Sequence, residues 1–102
     1  MAENPRRRRL EWSARAGADL AAIDVWYAQF GATTAGRVVS SILTAAKSLQ
    51  DRPFLGTEGI KPGTRHRVVG EYPYTIVYRV AAPSVRVVRV LHQRRAYFQR
   101  VR

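Results

Sequence analysis

Residues 65–95 interleave short apolar strands with arginines and separate them by compact turns, and few folds satisfy that pattern. Over 73–80, Tyr74, Ile76, Tyr78 and Val80 fall on one side and Thr75, Val77 and Arg79 on the other. Over 84–92, Val85, Val87, Arg89 and Leu91 alternate against Arg86, Val88, Val90 and His92. Successive side chains of a strand point to opposite faces, so such runs build a sheet with one face toward a core. Residues 65–70 supply a further strand. Gly70-Glu71 and Ala81-Ala82-Pro83 are compact breaks, and the three strands are expected to form an antiparallel meander.

Upstream the hydrophobic period changes. Leu10-Glu11-Trp12 reads as a short first strand starting near Arg8. Ser13 then suits a helix N-cap, because its hydroxyl can accept an orphan N–H of the first turn. Ala16, Leu20, Ile23, Tyr27 and Phe30 recur at helical spacing, and Gly31 suits the C-terminal cap. Ala35, Val39, Ile42, Ala46 and Leu49 trace a second helix, capped by Thr33 or Thr34 and ended by Pro53. So short a connection folds the helices into a hairpin, with Ala35, Ser40, Ala45 and Ala46 permitting close approach. Residues 53–64 hold two Pro and three Gly and read as a loop. The expectation is an α+β fold: strand, α-helical hairpin, then a three-stranded antiparallel meander, the hairpin packed on one sheet face. Residues 1–8 read as a basic N-terminal tail and 9–102 as a single domain, which suits 102 residues.

Charge narrows the function. The chain carries 18 basic and 7 acidic residues, a net charge of +11. Residues 13–51 are neutral, whereas 52–102 hold eleven basic groups against Glu58 and Glu71. A field of that sign attracts nucleic acid, ribosomes, acidic proteins or anionic lipid. Arginine dominates; only Lys47 and Lys61 are lysines. Guanidinium forks suit phosphates and carboxylates. There is no cysteine, which fits a reducing cytoplasm. No apolar run approaches the ~20 residues of a membrane span, and no hydrophobic region follows Arg6–Arg9 to make a secretory signal. His66 and His92 lack metal-ligand spacing, so neither metal nor other cofactor is expected.

Specific words now meet this order of elements. Ser13-x-x-Ala16-x-x-Asp19-Leu20-x-x-Ile23 opens the first helix, and Pro62-Gly63-Thr64-Arg65 leads into the sheet. Tyr72-Pro73-Tyr74-x-Ile76-Val77-Tyr78-Arg79-Val80 and Val87-x-x-Val90-Leu91-His92-x-x-Arg95 fill its last strands. Over roughly residues 8–98 the chain resembles the RelE/ParE toxin superfamily of bacterial toxin–antitoxin modules, also described as plasmid stabilisation proteins. The resemblance implies a cytoplasmic toxin in a hetero-oligomer with a short, acidic, mostly helical antitoxin. RelE-like members cut messenger RNA on the ribosome; ParE-like members share the fold and poison DNA gyrase.

Phosphodiester cleavage needs a base for the 2′-hydroxyl, cations for the phosphorane and an acid for the leaving oxygen. If the chain is a nuclease, His92 is the candidate proton carrier, because histidine ordinarily titrates near neutrality. Arg65 and Arg67, projecting from one face of a strand, would join the site, Arg79, Arg94 and Arg95 would hold phosphate, and Tyr97 would stack on a base or donate a proton. Against this, the RelE pattern places an arginine where Thr75 stands. It also has lysines where this chain offers Arg65, His66 and Arg67, and arginine is a poor base. The Tyr-Pro-Tyr and Val-Leu-His words resemble the ParE-like branch, so the leading expectation is a non-enzymatic gyrase inhibitor. Its partner-binding residues would be Arg65, Arg67, Arg79, Arg94, Arg95, Tyr97, Phe98 and Arg100. A non-toxic nucleic-acid-binding module is the reading from another class. Each residue also has a plainer role: His92 as a backbone-bonded cap, Arg65 and Arg67 as solvated surface, Trp26 and Tyr27 as core and rim.

Overall fold

The computed structural model describes residues 7–94, so the expectations for Arg6, Arg95, Tyr97, Phe98 and Arg100 lie outside the described residues. The elements are β1 (Arg9–Trp12), α1 (Ala14–Ala28), α2 (Ala32–Asp51), β2 (Thr57–Glu58), β3 (Arg65–Val69), β4 (Tyr74–Val80) and β5 (Ser84–His92). They form one sheet of order β1-β5-β4-β3-β2. β3, β4 and β5 make the anticipated antiparallel meander. β1 lies on its far edge, parallel to β5, with Leu10 opposite Val85 and Trp12 opposite Val87. β2 is a two-residue rung on β3, within the stretch whose Gly and Pro content reads as loop.

Ser13 caps α1 as its hydroxyl chemistry requires. Its Oγ accepts the Ala16 N–H at 3.0 Å and donates to the Val88 carbonyl at 3.0 Å, while its own N–H donates to Val87 O at 2.9 Å. One residue thus starts the helix and moors it to β5. The hairpin connection departs from expectation. Gln29 ends α1, and Gly31 is the N-cap of α2 at φ +114°, a conformation that favours glycine. Thr33 and Thr34 therefore sit inside the first turn of α2 and cap nothing. α2 buries Ala35, Val38, Ile42, Ala45, Ala46 and Leu49; Val38 takes the place expected of Val39, one step round the same stripe. All of these but Ala35 pack on Val69, Tyr74, Ile76, Tyr78, Val85, Val87 and Val90. Full burial of Val38, Ile42 or Leu49 contributes about 1.5–3 kcal/mol each.

β5 does not keep strict alternation. Tyr78 pairs with Val87 but Val77 pairs with Arg89, so Val88 is an extra residue. The bulge shifts the phase: Val85, Val87 and Val90 share the helix-side core, and Leu91 joins Val77 and Val88 in a second apolar cluster. Arg7 and Arg8 likewise belong to the fold rather than to a loose tail. Arg8 N–H donates to Gln50 O at 3.2 Å, and Gln50 Nε2 donates to Arg8 O at 2.9 Å. Among the described residues, no helix is long and apolar enough to cross a membrane.

Candidate functional site

Arg65 opens β3 and turns back onto the loop that precedes it. Its guanidinium donates to the carbonyls of Phe54 and Gly56 and lies over the Phe54 ring, 5.3 Å from the centroid. The buried Tyr78 hydroxyl fixes the same loop from below, accepting the Gly56 N–H at 3.0 Å and donating to Pro53 O at 2.8 Å. Gly56 has no room for a side chain: a Cβ there would lie 2.4 Å from His66 O and 2.8 Å from the Tyr78 hydroxyl. Arg65 is therefore a clamp on the loop. Hydrogen bonds to neutral carbonyls do not cancel its charge, and Glu58 stands opposite it on β2. Beside it is a hollow of about 340 Å³ lined by Phe54, Glu58, Pro62, Thr64, Arg65 and Val80.

Arg67 lies under α2, facing a groove of about 350 Å³ lined with Ser40, Ser41, Thr44, Ser48 and Glu71. Its guanidinium donates to the Val68 carbonyl at 3.1 Å. His92 closes β5 opposite Tyr74, whose ring it meets edge-on at 5.7 Å. His92 Nδ1 accepts the Arg94 N–H at 3.3 Å, the backbone-bonded role. Arg65 and His92 do not converge. Arg65 pairs with Tyr78 and His92 with Tyr74, four residues along and two strands across. At about 3.3 Å per residue and 4.8 Å per strand, that separates their Cα atoms by on the order of 16 Å. Thr75, in the place of the RelE arginine, is buried between Val68 and Leu91 on the neighbouring strands.

Tyr74 lines the core beside Tyr27. Burial, and secondly the Tyr27 hydroxyl, hold its phenol above the ordinary tyrosine value. Trp26 is 60% exposed, with Val25 and Phe30 also outward, so the core reading holds for Tyr27, which is half-buried, and fails for Trp26.

The other cations divide into two kinds. Arg89 is neutralised: its Nε and a terminal nitrogen donate to Asp19 at 2.8 and 3.2 Å, and the Val90 N–H donates to the same carboxylate at 2.9 Å. Arg79, by contrast, donates to Pro62 O at 3.1 Å and keeps its charge. Directly opposite Arg79 stands Arg86, a residue that charge counting alone does not single out. The signal was available: Ala82-Pro83 is a two-residue turn closed by Ala81 and Ser84, and counting back from it pairs residue 79 with residue 86.

A family model described as the ParE toxin of the type II toxin–antitoxin system parDE matches residues 10–97. A Sinorhizobium fredii protein named toxin Y4kP is 34% identical over 86 residues, 84% of this chain and 88% of that one. Toxin RelE2 of Caulobacter vibrioides is 38% identical over 84 residues, 82% of this chain and 93% of its own. The solved chromosomal ParDE system from P. aeruginosa superposes with a TM-score of 0.76 at 27% identity, covering 85% of this chain and 97% of that one.

Proposed function

Because the chain belongs to the ParE toxin family of type II toxin–antitoxin systems, we propose that it arrests growth by binding DNA gyrase rather than by cleaving a substrate itself. The observation that carries this reading is the dispersal of the candidate nuclease groups. Arg65 is committed to the loop carbonyls, His92 to backbone at the other end of the sheet, and Thr75 is buried. General acid–base catalysis needs its groups within hydrogen-bond reach of the same phosphate, whereas inhibition by docking needs only presented charge and surface. A gyrase supercoiling assay beside a ribosome-bound messenger RNA cleavage assay tests it. Lost supercoiling with intact messenger RNA is expected; the reverse result refutes it.

The same reading includes a cognate antitoxin. Phe54, Leu55 and Ile60 are exposed beside Arg52, Lys61 and Arg65. An acidic helical segment with apolar anchors suits that combination, through groove contact and charge pairing. The rest of the proposed partner-binding set, open to gyrase with its DNA as well as to the antitoxin, is Arg67, Arg79, Arg94, Arg95, Tyr97, Phe98 and Arg100. Co-expression with the neighbouring open reading frame should restore growth; growth that needs no restoring refutes the toxin reading. The 38% identity to a protein named RelE2 supports messenger RNA cleavage as the second reading, and the paired assay decides it.

A further inference from the structure

The corner of the sheet at the β4–β5 turn concentrates positive charge, and among the described residues its strands carry no exposed large hydrophobic side chain. Arg79 and Arg86 stand directly opposite each other on β4 and β5, both exposed. Like charges in that relation are destabilising, and the two side chains reach apart. Arg79 extends across β4 to the Pro62 carbonyl, and Arg86 extends across β5 toward Glu11 at 3.9 Å. The Pro62-Gly63 turn is shaped to receive Arg79: Gly63 sits at φ +80°, and a Cβ there would lie 2.7 Å from the guanidinium.

Two further cations adjoin them. Leu10 and Trp12 pack against the core, so alternation puts Arg9 on the face that Glu11 shares with Arg86. Arg9 lies opposite Ser84. The Arg8 Nε donates to Ala81 O at 3.0 Å, at the turn itself. Among the described residues here Glu11 is the carboxylate, and its contact with Arg86 is long and half-exposed, a pairing that compensates little.

We propose that Arg79 and Arg86, with Arg8 and Arg9 beside them, dock the phosphate backbone of duplex DNA. The inference rests on the gyrase reading for its setting, since a poison of a DNA-bound topoisomerase meets DNA as it arrives. The chemistry selects DNA over an acidic protein. Protein interfaces draw their energy from desolvated apolar and aromatic anchors, and among the described residues none of the exposed large hydrophobics belongs to β1, β4, β5 or the β4–β5 turn, the exposed one on this sheet face being Val68 of β3. Exposed guanidiniums are what phosphate contacts use to position a protein on a duplex. Because the guanidiniums reach in opposite directions, they span more than the strand spacing of about 4.8 Å. That reach suits successive phosphates better than a single small anion.

The test uses the full chain with a short fluorescein-labelled DNA duplex, read by anisotropy across a salt series, and the same proteins in a gyrase–DNA cleavage assay. R79Q/R86Q should weaken duplex binding about tenfold and lower the slope of log K against log salt by about 1.8, or ~0.9 per lost phosphate contact. E11Q should tighten binding about twofold, a gain that misfolding cannot produce. Trapped gyrase–DNA complexes should fall with R79Q/R86Q. Unchanged duplex binding in both variants, with the wild type still trapping gyrase, overturns the inference and leaves the gyrase reading intact. Duplex binding that responds as expected, with gyrase untouched by the wild type, supports the phosphate surface and removes the gyrase reading. Tighter binding to single-stranded RNA with the same slope change overturns DNA as the ligand. So does loss of antitoxin capture in R79Q/R86Q with duplex binding unchanged.

Discussion

Replacing Asp19 by Ala should be strongly destabilising. The Asp19 carboxylate accepts three hydrogen bonds, two from Arg89 and one from the Val90 N–H. Its side chain is 17% exposed and that of Arg89 19%. Removing one partner of a buried ion pair costs about 3–5 kcal/mol, because the other charge is left uncompensated. The orphaned Val90 N–H adds to this, by up to about 1–3 kcal/mol if water cannot reach it. The residual exposure admits some water, so the lower end applies, and we expect a loss of about 3 kcal/mol. For a chain of this length that is roughly 12–20 °C in Tm. D19N keeps an acceptor for Val90 and should fall between. D19A/R89M, which removes both charges, should recover most of the loss and give a coupling of about 2 kcal/mol in a double-mutant cycle. Urea unfolding followed by circular dichroism measures each value. A D19A loss under about 1 kcal/mol, or strictly additive single mutants, refutes the reasoning.

The exposed Arg86–Glu11 contact is the contrast: E11Q should change stability by no more than about 0.5 kcal/mol in the same unfolding experiment. G56A forces a Cβ against His66 O and the Tyr78 hydroxyl and should cost about 1–3 kcal/mol by thermal melt. Y78F leaves the Gly56 N–H and Pro53 carbonyl without their shared partner, and should cost about 1–3 kcal/mol and speed proteolysis within 53–56. Tyr74 should keep its proton as pH rises past about 10, where tyrosines of the unfolded chain ionise. The folded phenol is held above that value, so the stability it contributes is complete below about pH 10 and declines above it. Unfolding midpoints between pH 9 and 11 should fall less steeply in Y74F.

The elements were legible in the residues because each obeys a local rule. Ser13 carries the hydroxyl that a helix start requires, and the apolar stripes of both helices face the sheet, except that Phe30 turns outward past the end of α1 and Val38 stands in for Val39. What escaped the sequence depends on contacts between distant segments. The bulge at Val88 falls where the outer edge of β5 changes neighbour. β1 accompanies it as far as Val87, and beyond that α1 takes over, with Ser13 on the Val87 and Val88 carbonyls and Asp19 on the Val90 N–H. No spacing within 84–92 announces that exchange. The arginines illustrate the same limit. Their number and sign are plain in the chain, yet Arg8, Arg65 and Arg79 donate to loop carbonyls, acceptors that every residue possesses and no side-chain pattern marks. Arg79 facing Arg86 was accessible by counting from the Ala82-Pro83 turn, because hairpin register follows from loop length.

The parallel contact between β1 and β5 joins the first strand made to the last. During synthesis, Arg9–Trp12 must wait for Ser84–Val87 to leave the ribosome before its hydrogen bonds can form, and such remote closures are slow steps of folding. The sheet is therefore completed only once its last strand has left the ribosome. A partner present before then meets a nascent protein whose edge strand is still unclaimed.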